Sequence, residues 1–295
     1  MAENALVLDP ELRDLMVETK VTCPFLGSLV HQELLSVRGA ADNPLAEIED
    51  VRRLGNEGGG DLGDLLAFFA AGNHALMRNS SGSALDAPVP AGLFSLELPG
   101  SQGSHPGHSG ILQGNPTTLG SGRLSQEDFD RLAKLATNGF LKRSDVGKFI
   151  AQNLKRDPNS KVASANVAEL MARDLAGVVR AISTTLASKI FGSSSNADDN
   201  HGLLEQRLTK LMGENNLVGS AGEFGLLFAF LAHDPNTKEI EGEPSLTLDR
   251  VQAMFVQKRL PDGWQTWKKS RVDWVVHTTA LLLSAGKEYR QLSPN

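Results

Sequence analysis

Cysteine is nearly missing from this chain: Cys23 is the one example in 295 residues. No internal disulfide can form, so the fold does not depend on an oxidising compartment. Long apolar runs are also missing, and nothing reaches the roughly 18 residues that a membrane-spanning helix needs. The N-terminal stretch MAENALVLDPELRDLM is acidic and lacks the apolar core of a signal peptide. These absences predict a soluble protein of the cytoplasm or another intracellular compartment. Basic clusters are scarce: the net charge is −6 and no Lys/Arg-rich run occurs, which excludes nucleic acid as a partner. Lys268, Lys269 and Arg271 form the nearest basic group, and it is too small to alter that reading. Aromatic residues are few, with 12 Phe, 3 Trp and 1 Tyr to line any pocket.

Familiar catalytic signatures are missing as well. There is no GxGxxG opening a helix after a strand, no GxxxxGK[ST], no HExxH and no GxSxG. Zinc spacing is absent, because the seven histidines are scattered and only one cysteine is present. HPGH (105–108) pairs two histidines without a nearby carboxylate. The alternation of Val, Ile and aromatic residues that marks strands is almost absent.

What is present is helical periodicity. Residues 61–77 place Leu62, Leu65, Leu66, Phe69 and Leu76 on one face, and 165–190 repeat the pattern over a longer span. Further helices are predicted to start near Ser125, Ser144, Leu203, Thr247 and Ser270. Ser125 with Asp128 resembles a capping box, and Ser144 and Thr247 read as N-caps. Trp264, Trp267 and Trp274 lie at helix-like intervals and read as core. The prediction is an all-α fold, a single helical domain over 1–295, with a short hairpin around GLFSLELPG (92–100). Residues 78–123, rich in Gly, Pro and Ser, form a long irregular loop, and the apolar islands at Leu93–Leu98 and Ile111–Leu112 pack it down. Residues 191–202 read as an exposed polar loop.

Four stretches, in order, resemble the haem-thiolate peroxidases, the chloroperoxidase and unspecific peroxygenase family. TCPFLGSLVHQELL (22–35) is similar to the family's Pro-Cys-Pro and leucine-rich proximal helix. HSGILQGNPTTLGSGRLSQEDF (108–129) resembles its cation-binding segment, GSAGEFGLLFAFLAHD (219–234) the segment with its distal glutamate, and LTLDRVQAMFVQKRLPDGW (246–264) its C-terminal motif. RLPDGW is the most specific of these matches.

The resemblance implies haem b as cofactor, with Cys23 as axial ligand of the haem iron and Glu223 as acid–base group. It implies hydrogen peroxide or a related oxidant, and a small apolar or aromatic substrate. Physical chemistry accommodates both residues. Cys23 at the N-cap, with Pro24 at N1, would face the free amides and the positive end of a helix dipole, which lower a thiol pKa. The other reading of Cys23 is a small buried hydrophobe. Glu223, followed by Phe224, Leu226, Leu227, Phe228, Phe230 and Leu231, would stand against a dry wall that raises its pKa; the competing reading is a solvated glutamate at a helix start.

Departures from the family are specific. Its cation segment reads Gln113, Gly114, Asn115, Pro116 and Thr117 here, with amides in place of carboxylates. A hard cation follows charge, so the second divalent ion is expected to be weak or lost, with Gln113 or Asn115 hydrogen-bonding a haem propionate instead. The distal Arg or His partner falls on Asn216 or Gly114, leaving His105, His108 or Arg123 as substitutes. The alternative function class is a non-catalytic helical binding or scaffolding protein without a redox cofactor.

Overall fold

The computed structural model describes residues 9–21, 23–40, 43–67, 93–96, 112–115, 118–157, 160, 162 and 216–292. Helix α1 (Pro10–Thr19) starts where Asp9 accepts a hydrogen bond from the Leu12 amide at 2.9 Å. Helix α2 (Pro24–His31) follows, with Cys23 as its N-cap and Pro24 in the first turn. Strands β1 (Arg38–Ala40) and β2 (Asn43–Glu47) form a hairpin that leads into α3 (Ile48–Gly55). Strand β3 (Leu93–Ser95) pairs with β2, Ala46 opposite Phe94. The expected hairpin at 92–100 is therefore, over its described part, a third strand added to an earlier hairpin. Strands β4 (Leu112–Asn115) and β5 (Thr118–Leu124) pair antiparallel.

Helix α4 (Gln126–Ala133) begins as its sequence requires: Ser125 caps it, and the Ser125 hydroxyl donates to Asp128 at 2.7 Å. Strand β6 (Phe140–Lys142) runs straight into α5 (Arg143–Arg156). The N-cap is thus Lys142, not Ser144. Asp145 reaches back to accept from the Lys142 amide at 3.0 Å, while the Ser144 amide donates to Glu243. Helix α6 (Asn216–Leu231) is followed by the hairpin β7 (Lys238–Ile240) and β8 (Glu243–Thr247), and then by α7 (Leu248–Phe255), which has Thr247 at its N-cap. A 3-10 turn (Trp264–Thr266) precedes α8 (Arg271–Gln291), capped by Ser270.

The protein is mainly helical, but not purely all-α: three small antiparallel sheets occur among the described residues. Their strands are three to seven residues long, too short to leave an alternating pattern. Most of 78–123, all of 165–190 and all of 191–202 lie outside the described residues.

Helix α8 packs against both α5 and α6. A Cβ on Gly225 would collide with Thr278, so the small residue sets how closely α6 and α8 approach. Nearby, the Trp274 indole donates to the Gly222 carbonyl at 2.9 Å. Strand β8 pairs with β6, Leu141 opposite Leu246, and joins two helix–strand–helix units. Between α6 and β7, buried Asp234 accepts from Arg250 of α7 at 2.8 Å and from the Asn236 amide at 3.0 Å.

One lysine of the small basic group is interior. Lys269 is 0% exposed, and its ammonium donates to the carbonyls of Glu57 (2.6 Å), Trp264 (2.9 Å) and Trp267 (2.9 Å). It lies over the rings of Trp264 (5.2 Å) and Phe230 (5.6 Å). Gly60 admits it, because a Cβ there would strike the Lys269 backbone. All three tryptophans are buried, as their spacing predicts. Phe230 also meets Phe25 of α2 edge-on at 5.3 Å, which ties α6 to α2.

Replacing Lys269 with Met preserves length but strips three carbonyls of their donor. The expected loss is about 2–4 kcal/mol, read as a lower urea midpoint at neutral pH.

His277 on α8 stacks on Phe228 at 5.2 Å, with Arg143 Nη1 3.5 Å from its Nδ1. Burial first, and the Arg143 charge second, push it down from 6.5 to about 4, while Asp273 pulls it up. The unfolded chain therefore binds a proton between about 6.5 and 4 that the native protein refuses. Stability is full above this window and falls as pH drops through it, by at most about 3 kcal/mol. Urea midpoints at pH 7 and 4.5 should converge in His277→Phe relative to the wild type.

Candidate functional site

Cys23 adopts extended backbone at φ −75° and ψ 120°, and its carbonyl accepts from the Gly27 amide at 2.8 Å. Residues Pro24 to Val30 are all buried, so α2 is sunk in the core and its N-terminus carries the thiol with it. Cys23 itself is half-buried and packs against that core. Its thiol is pushed up to about 11. Burial is the main cause; the amides of Leu26 and Phe25 oppose it, the Glu223 charge adds to it, and the Lys258 charge opposes it. The helix N-terminus acts in the expected direction but loses to desolvation, so the ligand-free thiol keeps its proton at neutral pH. The sequence-based expectation of a lowered thiol pKa is corrected on that ground.

Glu223 lies in the middle of α6, not at a solvated helix start. It is half-buried, and its Oε2 is sealed from solvent. The preceding Gly222 carbonyl is held by Trp274, which fixes the rotation of α6 about its axis. The apolar residues after Glu223 do not form one wall. Phe224 faces Phe149 of α5, Phe228 faces His277 of α8, and Phe230 faces Phe25 of α2. They brace the helix on three sides and hold Glu223 where its charge reaches Cys23. Sequence reasoning named both residues, and in the structure the Glu223 charge acts on the Cys23 thiol.

Lys258 is the member that sequence reasoning missed, although it lies within the RLPDGW-containing segment. It follows α7 in a left-handed conformation (φ 51°) and is half-buried. Burial pushes its ammonium down to about 8, against the charges of Cys23 and Glu18.

Gln113 and Asn115 lie on β4, with Asn115 opposite Thr118 and Gly114 opposite Leu119; their side chains lie outside the described residues. Their hairpin partner β5 packs against α1, the helix that leads to Cys23. Asn216, at the family's distal Arg position, is buried. Arg123 is exposed, and His105 and His108 lie outside the described residues. Among the described residues, no group of three or more His, Cys, Asp and Glu could hold a metal ion.

Compared with models of protein families, with curated proteins and with solved structures, the chain matches none. The chemistry of the site is therefore read from its own residues.

Those residues fit a thiolate-ligated cofactor on the sulfur side. A metal draws off a thiol proton outright, and the amides of Leu26 and Phe25 then face an anion they already favour. In the ligand-free chain, Glu223→Gln removes a negative charge and lowers the Cys23 pKa. Alkylation of Cys23 at pH 8 should speed up by about two- to fivefold. An unchanged rate would mean that the carboxylate does not act on the sulfur.

Proposed function

We propose that the chain is a haem-thiolate oxidoreductase of the peroxidase and peroxygenase type, using hydrogen peroxide or a related oxidant on a small apolar or aromatic substrate. One observation carries this reading. The chain's single cysteine caps a proline-started, buried helix within electrostatic reach of a half-buried glutamate from a distant segment. Such a pairing supplies a thiolate ligand and an acid–base group at one place.

Cys23 would hold the iron of haem b, and the segment with Gln113 and Asn115 would meet a propionate through amide hydrogen bonds. Haem ligated by thiolate supplies an electron-rich iron that favours cleavage of a bound O–O bond. The protein's part is to stabilise the sulfur anion and to manage a proton. The Leu26 and Phe25 amides and the Lys258 ammonium serve the first task. Glu223 serves the second: its carboxylate takes a proton from one peroxide oxygen and returns it to the other. Phe25, buried two residues after Cys23 and edge-on to Phe230, would keep water from the sulfur.

The full chain, incubated with haem, reduced and exposed to carbon monoxide, should show the thiolate-type absorption band. Cys23→His should shift the band or abolish haem binding. Glu223→Gln should keep the band but slow the reaction with peroxide by about 10²–10⁴-fold. Protein that stays colourless after haem is supplied would overturn the proposal in favour of a helical binding or scaffolding role.

A further inference from the structure

We propose that Ser220 is a peroxide-binding residue: its buried hydroxyl, one turn before Glu223 on the same side of α6, holds one oxygen of a hydrogen peroxide molecule whose other oxygen meets the carboxylate. The inference rests on the haem-thiolate reading for peroxide as the oxidant, but the paired hydroxyl and carboxylate belong to the ligand-free chain.

Ser220 is 0% exposed, and its Oγ has no hydrogen-bond partner among the described residues. A serine inside a helix commonly gives its proton to the carbonyl four residues back. Ser28 of α2 does so: it is equally buried, and its hydroxyl donates to the Pro24 carbonyl at 2.7 Å. Thr19 of α1 donates in the same way to the Leu15 carbonyl at 2.7 Å. From Ser220 that bond would go to the Asn216 carbonyl, and it is not made. A buried hydroxyl left unpaired costs free energy. Alanine, the neighbour at 221, would fill the same space without that cost. The hydroxyl therefore adds nothing to the ligand-free fold, and its use lies in what it binds. Its direction follows from the rotation of α6. Gly225 abuts Thr278 of α8. At about 100° per residue, Ser220 and Glu223 fall about 140° and about 160° from Gly225, one on each side of the opposite face. Helical residues three apart are neighbours. A long helical side chain also leans toward the N-terminus, so the Glu223 carboxylate lies over the turn that holds Ser220. Glu223 is half-buried, with Oε2 sealed from solvent. Phe230, two turns beyond Glu223 on the same side, meets Phe25 of α2, so this face of α6 looks toward the helix that Cys23 caps. The chemistry selects a small neutral molecule with two adjacent hydroxylic oxygens. Hydrogen peroxide accepts the serine proton on one oxygen and gives its own proton to the carboxylate from the other.

The test compares Ser220→Ala, Ser220→Thr and the wild type. In ligand-free protein, added hydrogen peroxide oxidises Cys23. A sulfur electron pair bonds to one peroxide oxygen as the O–O bond breaks; the other oxygen leaves as hydroxide and takes up the thiol proton as water, leaving a sulfenic acid. Loss of the thiol at pH 7 is followed beside alkylation by iodoacetamide, which needs no peroxide site. Ser220→Ala should slow oxidation by about three- to tenfold, leave alkylation at the wild-type rate, and keep or raise the urea midpoint. Ser220→Thr, which retains a hydroxyl, should restore most of the oxidation rate. In haem-loaded protein, Ser220→Ala should raise the half-saturating peroxide concentration by about three- to tenfold. An unchanged ratio of oxidation to alkylation would overturn the proposal even if haem binds through thiolate, and so would an unchanged half-saturating concentration. A lowered urea midpoint in Ser220→Ala, or its failure to fold, would also overturn it, because the hydroxyl would then be structural. Selective loss of oxidation with rescue by threonine, in a protein that never takes up haem, would support the Ser220 site while removing the haem-thiolate reading.

Discussion

The candidate site depends on an ammonium ion buried without a bonded carboxylate. Lys269 spends its three donor hydrogens on three backbone carbonyls and lies over two aromatic rings. One of those rings, Phe230, turns an edge-to-face contact toward Phe25. Phe25 follows Cys23 by two residues, and Phe230 follows Glu223 by about two helical turns. The chain of contacts from Lys269 through Phe230 to Phe25 therefore fixes α2 against α6. This node, with the Gly222–Trp274 hydrogen bond that sets the remaining rotation of α6, holds Glu223 where its charge reaches Cys23.

At the sulfur, two general effects compete and one prevails. A helix N-terminus contributes about 0.3–1 kcal/mol toward an anion. Desolvation acts on the whole charge and can shift a buried group by several pKa units. Because α2 is buried from Pro24 through Val30, the second effect dominates, and the thiol rests protonated. The site is arranged to accept an anion without generating one by itself. That balance distinguishes Cys23 from an activated thiolate, which is alkylated or oxidised readily at neutral pH.

Some of this was legible in the sequence. Cys23-Pro24 announced a helix start, Ser125 with Asp128 announced another, and the three tryptophans announced core. Each of these signals is local and needs no knowledge of what packs against it. The misses have a common cause in long-range partners. Ser144 looked like a cap, but its amide is taken by Glu243 from β8, 99 residues away, and the cap falls on Lys142. The phenylalanines after Glu223 looked like one wall, but their directions follow from three different neighbouring helices. Lys269 read as part of a small basic group, because the carbonyls and rings that receive its ammonium come from residues 57, 230, 264 and 267. Lys258 was passed over for the same reason, since its stem is buried beside Gly27 of α2. Charged residues are expected in water, and nothing local marks the ones that are taken inside.

The Asp234–Arg250 pair bears on how the fold responds to its surroundings. The carboxylate sits in a loop between a helix and a hairpin, and the guanidinium comes from the first turn of the next helix. In helix–loop–helix units that hold such a carboxylate with a dissolved cation, the angle between helices becomes a gauge of that cation's concentration. Here the counter-ion is a side chain, tethered by the chain itself at an effective concentration that no chelator can lower. The pair thereby ties the start of α7 back to the end of α6 from within the chain.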